Sequence, residues 1–315
     1  MATRNIVPRA TGEGQIGTSA KTWSAGYFND IAVTNGVTAS TFTGDLTGDV
    51  TGDVTGNLTG NVTGDVTGDV TGTASGNLPL ISGAGFHNSI FRGKNLGNAV
   101  TTEQYNAIDA GTFDDLFIGD YWVINGINWR IAAFDYWLHM GDTECLNHHV
   151  VIVPDSVLAT CKMNNTSTTD GGYVNSDFYK GTNSNTGKST AQSAINNAFG
   201  STHILTHREL LTTGVSSGSP NSWAWYNSTL ELMNESMVYG NSYSHATYNI
   251  GIDISQLPLF ALMQSYISIP RADWWLRSIV SATQYGRIGW RGNADSLGAT
   301  SSLGVRPVFG ICKSN

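Results

Sequence analysis

Between Ser278 and Gly304 the chain reads SIVSATQYGRIGWRGNADSLGATSSLG, which sets Tyr285, Arg287, Trp290 and Arg291 among glycine, serine and asparagine. Trp, Tyr and Arg dominate binding hot spots, and Gly, Ser and Asn around them make adaptable contact surfaces. Exposed aromatic rings also stack on sugar rings, as apolar plates beside hydrogen-bonding neighbours. The residues expected to make surface contacts are Gln284, Tyr285, Arg287, Trp290, Arg291, Asn293, Asp295, Ser296, Leu297 and Thr300. The competing reading is an ordinary strand-loop-strand in which Trp290 belongs to the core.

A second concentration of reactive side chains comprises His139, Asp142, Glu144, Cys145, His148 and His149. Tetrahedral zinc accepts such ligands, but the spacing matches no standard finger, and histidines beside a strand are more often hydrogen-bonded structural groups. Calcium needs several convergent oxygens, and no compact acidic loop supplies them. No metal and no other cofactor is therefore expected. Glycan hydrolysis needs two carboxylates facing each other across about 5–9.5 Å. Asp135, Asp142, Glu144, Glu209 and Asp273 are candidates, yet no spacing singles out a pair, so no catalytic residue is assigned.

The elements that must position the 278–304 stretch are legible on both sides of it. Trp274, Trp275, Leu276 and Arg277 precede it, and Val305, Arg306, Pro307 and Phe309 follow. These are expected to be scaffold: the aromatic rings fill a core, and the arginines pair with buried carbonyls or carboxylates. In DYWVINGINWRI, Asn125-Gly126 is the favoured two-residue hairpin turn. It pairs Ile124 with Ile127, Val123 with Asn128, Trp122 with Trp129 and Tyr121 with Arg130, and puts the tryptophans and isoleucines on one core face. HHVVIVPD reads as a buried strand ended by Pro154. A short helix opens at Thr102 and stops at Gly111, and a second, Lys188 to Phe199, carries Ala191, Ala194, Ile195 and Ala198 on one side. Thr206-His207-Arg208-Glu209 has the spacing of a capping box and predicts another helix start. Leu230, Met233, Met237 and Val238 continue as apolar positions in a half-helical, half-irregular region.

Upstream, nine tetrads run unbroken from Thr43 to Leu78: TGDL, TGDV, TGDV, TGNL, TGNV, TGDV, TGDV, TGTA and SGNL. Glycine at every fourth position and β-branched residues between oppose helix, and the period fits neither collagen nor a coiled coil. In extended chain one face carries Gly, Val and Leu and the other Thr and Asp. One tetrad buries at most one aliphatic side chain, about 1.5–3 kcal/mol, against about 4–8 kcal/mol for ordering four backbones. A single chain cannot hold that shape, whereas several wound about one axis can. The tract is therefore expected to be the shaft of a homotrimer, reaching about 120 Å if fully extended. A disordered Gly/Thr/Asp linker is the alternative.

The chain has 315 residues, 40% hydrophobic and 13% charged, with a formal charge of −8 to which five repeat aspartates contribute. No basic tract invites nucleic acid or anionic lipid. No apolar run is long enough to insert in a membrane, and the first residues lack the apolar core of a secretory signal. Cys145, Cys161 and Cys312 make no disulfide framework, with a Cys145–Cys161 bridge the minor option.

Two resemblances sharpen this reading. GEGQIGTSAKTWSAGYFNDIAVTNG resembles the N-terminal segment of many phage tail fibre and tail-associated proteins, where that end sits nearest the virion. WWLRS with GVRPVF, together with GDYWVINGINWRI and HHVVIVPD, resembles the C-type-lectin-like domain. That fold is related to formylglycine-generating enzymes and occurs at the ends of phage tail fibres and in the variable proteins of diversity-generating retroelements. In the family, the segment between the two motifs carries the ligand-facing residues. An enzyme of the related kind needs reactive cysteines in the cleft, a pattern that Cys145, Cys161 and Cys312 do not reproduce.

The expected organisation is a virion-proximal β segment over 1–42, a shaft over 43–78, a neck over 79–98 and a head over 99–315. The fold class is α+β, a C-type-lectin-like C-terminal domain preceded by an extended trimeric β fibrous shaft. The expected role is a tail fibre that binds a bacterial surface receptor, glycan or protein, without being an enzyme. Its partners would be two further copies, tail or baseplate proteins at the N-terminus and the receptor at the head. It would be made in the host cytoplasm and reside in the virion. A polysaccharide-modifying enzyme and a purely structural tail or head-decoration protein are the alternatives.

Overall fold

The computed structural model describes residues 83–241 and 255–314, with scattered positions before residue 34. The chain divides into two compact units, Met1–Thr71 and Gly72–Asn315. In the first, the described positions are solvent-exposed, Tyr27 at 96%. The tetrad tract at 43–78 and most of the expected β segment at 1–42 lie outside the described residues.

The second unit is mixed α/β and mostly sheet. Its strands are β1 (Tyr121–Ile124), β2 (Ile127–Phe134), β3 (Val150–Pro154), β4 (Ala159–Cys161), β5 (His207–Ser216) and β6 (Ser219–Ser228). They continue with β7 (Glu231–Leu232), β8 (Trp274–Ile279), β9 (Gln284–Ile288), β10 (Ala294–Gly298), β11 (Leu303–Val305) and β12 (Pro307–Ile311). The helices are α1 (Ala84–His87), α2 (Thr102–Asp109), α3 (Asp177–Lys180), α4 (Gly187–Phe199), α5 (Glu235–Tyr239) and α6 (Pro258–Leu262). One sheet runs β1-β2-β3-β12-β7, a second β10-β9-β8-β11-β4, and β5-β6 stand as a two-stranded ribbon. Among the described residues no helix is long and apolar enough to cross a membrane.

The Asn125-Gly126 hairpin forms in the register that the sequence predicts, Trp122 opposite Trp129 and Ile124 opposite Ile127. Both turn residues have positive φ, which the turn requires and which Asn and Gly tolerate. Both tryptophans are fully buried. The short helix expected from Thr102 forms as α2, and a capping box closes its start: Thr101 Oγ1 accepts from Gln104 N–H at 3.2 Å and Gln104 Oε1 accepts from Thr101 N–H at 3.0 Å. Gln104 Oε1 also accepts from Trp122 Nε1–H at 3.1 Å, which fixes α2 to the hairpin. HHVVIVPD supplies the wholly buried β3, and α4 buries Ala191, Ile195 and Phe199.

Two sequence readings are corrected. Thr206–Glu209 does not cap a helix; His207 begins β5, and His207, Glu209 and Leu211 alternate onto its buried face. Of the residues read as a neck, the described ones, from Gly83 onward, are tied into the globular unit. Asn88 exchanges two hydrogen bonds with the Phe134 backbone, at 2.8 and 2.9 Å. Buried Asp120 accepts from the Arg92 guanidinium and from Lys94 N–H, and residues 94–97 bond along β1 as an extra edge. The three cysteines are free.

At the middle of the second sheet, β8 begins apolar on both faces. Successive β8 residues alternate between two clusters: Trp274 joins one with Trp129 and Phe309, and Trp275 joins the other with Tyr173 and Tyr285. Burial on both sides explains why WWL is a continuous apolar run rather than an alternating one. Arg277 and Arg306 are buried with them, as expected of scaffold. Arg277 reaches Glu209 at 3.2 Å, and Arg306 donates to the carbonyls of Pro154 and Ile267 at 2.9 and 3.3 Å.

Candidate functional site

The 278–304 stretch forms β9, a tight turn and β10, with Asp295 opposite Arg287 and Leu297 opposite Tyr285. Tyr285, Arg287, Asp295 and Leu297 therefore share one face of the ribbon. The loop around Gly172 covers one end of that face, so Tyr285 is 0% exposed, lies edge-on to Trp275 with centroids 6.5 Å apart, and has its phenol pushed above the usual range by burial. Tyr285 is core, which corrects its assignment as a surface contact. At the other end the half-buried Arg287 and the exposed Asp295 meet at 2.6 Å.

The turn is the exposed feature. Gly289 N–H donates to Asn293 O at 2.8 Å and Gly292 N–H to Gly289 O at 2.7 Å, closing a compact loop that leaves Trp290 51% exposed. Trp290 is thus neither core nor strand; it caps the loop. The Arg291 guanidinium stacks on its ring with 4.5 Å to the centroid. Arg291, Asn293 and Asp295 are exposed beside it.

This loop is held rigidly from below. Asp273, immediately before β8, pairs with Arg287 and accepts Trp290 N–H at 2.7 Å. Tyr239 at the end of α5 donates to Gly292 O at 2.7 Å, and Gly292 packs against Ser268. Asp295 Oδ1 accepts Ser296 N–H at 2.8 Å, and that bond, with the Arg287 contact, holds its carboxyl below the usual range. Asp273 thus appears as a positioning group; sequence reasoning named it only as a possible catalytic carboxylate.

The ten expected contact residues do not form one patch. Trp290, Arg291, Asn293, Asp295 and Arg287 gather at the turn end. Gln284, half-buried, pairs at the far end with Gly298, close to the exposed Thr300. Four strand steps separate the two ends, about 14 Å. Ser296 and Leu297 are half-buried between them.

The second concentration of reactive groups resolves into separate pairs. His139 meets Glu144 at 2.6 Å, His148 meets Asp135 at 2.7 Å, and Asp142 meets Arg208 at 2.6 Å. His149 is fully buried and both ring nitrogens are committed: Nε2 accepts Trp137 N–H at 3.1 Å and Nδ1 donates to Asn147 O at 2.9 Å. Burial pushes the Cys145 thiol up. Among the described residues no group of three His, Cys, Asp or Glu side chains converges to hold a metal ion. Each candidate catalytic carboxylate faces a basic partner: His148 for Asp135, Arg208 for Asp142, His139 for Glu144, His207 and Arg277 for Glu209, and Arg287 for Asp273.

The chain matches no protein-family model, no curated protein and no solved structure.

Proposed function

We propose that this protein is the receptor-binding subunit of a bacteriophage tail fibre, with a C-type-lectin-like head that recognises a bacterial surface. The observation that carries this reading is the Trp290 loop. A large aromatic side chain stands half out of the surface, stacked with an arginine, on a turn braced by Asp273, Arg287 and Tyr239. A rigid aromatic-arginine platform loses little conformational entropy on binding, which is how protruding paratope loops gain affinity. The tetrad tract, read as a trimeric shaft, would present three heads together. Avidity then multiplies a weak single-site affinity through the effective concentration of the second and third sites.

The test is binding of the full chain to cells of susceptible bacteria. Trp290→Ala should lower binding at least tenfold with unchanged thermal stability, because the side chain is half in solvent. Tyr285→Phe should leave binding unchanged. Equal binding by wild type and Trp290→Ala would refute the assignment, and turnover of surface polysaccharide would replace it with an enzymatic one.

A further inference from the structure

Arg271 and Arg291 set the Trp290 loop apart from the rest of an acidic chain. Among the described residues neither meets a carboxylate, and both are exposed. They also converge. Arg271 N–H donates to Ser268 O at 3.0 Å, and Gly292, next to Arg291, approaches Ser268 so closely that an added Cβ would lie 3.3 Å from its side chain. Ile269, 37% exposed, lies between Ser268 and Arg271 in sequence and adds apolar surface.

The local charge balance favours an anion. Among the described residues, Asp273 and Asp295 are the carboxylates that contact the turn, and Arg287 bonds both. Counting Arg271, Arg287 and Arg291 against Asp273 and Asp295 leaves one excess positive charge, in a chain of formal charge −8. Stacking on Trp290 matters as well. A guanidinium lying on an aromatic face keeps its N–H groups in the plane of stacking, oriented for a two-oxygen acceptor at its edge. Arg271 holds a positive φ of 49°, a conformation that non-glycine residues adopt at a cost, so a local backbone preference does not explain an arginine there.

We propose that the Trp290 loop binds an acidic saccharide: Trp290 packs against a sugar ring while Arg291 and Arg271 take the carboxylates of that sugar and its neighbour. This deepens the receptor-binding reading and rests on it. Arg271 lies outside the 278–304 stretch, so it extends the site onto the segment before β8.

The test uses the full chain with oligogalacturonate and with its methyl ester, which keeps the sugar and removes the charge. Calorimetry should show the acid binding at least tenfold more tightly than the ester, with the difference shrinking as salt rises. Arg291→Gln and Arg271→Asn should each lower acid binding about tenfold and ester binding by much less; asparagine tolerates positive φ, so the second variant keeps the loop. Trp290→Ala should weaken both ligands. No measurable acid binding, equal affinity for acid and ester, or indifference to both arginine substitutions would overturn the proposal. Cell binding that still depended on Trp290 would leave the receptor-binding reading standing. Conversely, arginine-dependent acid binding with cell binding indifferent to Trp290 would keep the saccharide site and remove the receptor assignment.

Discussion

Lowering the pH from 7 to 4 is expected to cost the C-terminal unit about 3 kcal/mol through His149 alone. Its imidazole is completely buried at the start of β3, lies parallel to Trp137 with centroids 5.6 Å apart, and is held as the neutral tautomer with Nδ1–H donating to Asn147 O. Trp137 in turn stacks on His207 at 3.9 Å, so the three rings form one layer linking β3 to β5. Protonation at Nε2 would break the bond from Trp137 N–H and place a cation in this layer, near His207 and His148. Asp135, 3.9 Å from Nδ1, offsets part of that penalty. Burial is the dominant cause, and the pKa falls from 6.5 to about 4. The unfolded chain therefore takes up the proton near pH 6.5 while the folded one resists until about pH 4. Stability is complete above the first value and is lost as the pH falls toward the second, at about 1.4 kcal/mol per unit. Urea unfolding of wild type and His149→Gln, followed by tryptophan fluorescence at fixed ionic strength, isolates the contribution. The variant starts less stable, but its stability should fall by about 3 kcal/mol less between pH 7 and pH 4. Parallel curves for the two proteins, or an imidazolium signal for His149 in the folded protein at pH 5.5, would refute the reasoning.

Two further outcomes test the scaffold and the assembly. Glu209, 0% exposed between His207 at 3.0 Å and Arg277 at 3.2 Å, should cost about 3–5 kcal/mol when changed to Ala, because a buried guanidinium is left with one carboxylate fewer. Adding Arg277→Met should recover part of that loss in a thermal melt, and strictly additive losses would contradict the coupling. Light scattering of the full chain should give three times the 33.6 kDa subunit mass. A mass of one subunit would remove the trimeric shaft and the avidity that depends on it.

Local chemistry made part of the fold legible. Asn125-Gly126 fixes a two-residue turn, and a two-residue turn fixes every pair behind it, so the β1–β2 register follows from a dipeptide. The buried β3 and the apolar stripe of α4 were readable for a similar reason, since each depends on periodicity within one segment. Ser217-Gly218, both at positive φ, turns β5 into β6 and carries the same kind of signal, in competition with the helix-like capping-box spacing at Thr206. Glu209 sits three residues after Thr206, but its role comes from Arg277 on β8, a residue 68 positions away.

For the site, the sequence by itself determined the inventory: a Trp/Arg/Asn-rich turn between two scaffold motifs, and the residue types able to bind there. Only the tertiary structure decided which of them face solvent. Tyr285 and Arg287 lie on the same face of β9, yet the loop around Gly172 seals one end of that face while Arg287 at the other stays half-buried beside the exposed Asp295. Strand alternation assigns a side chain to a face; what packs against that face is set by segments distant in the chain. The same holds for Tyr239 at the end of α5 and for Ser268 and Asp273 in the stretch before β8, which brace the Trp290 turn and give a flexible-looking sequence its rigid form.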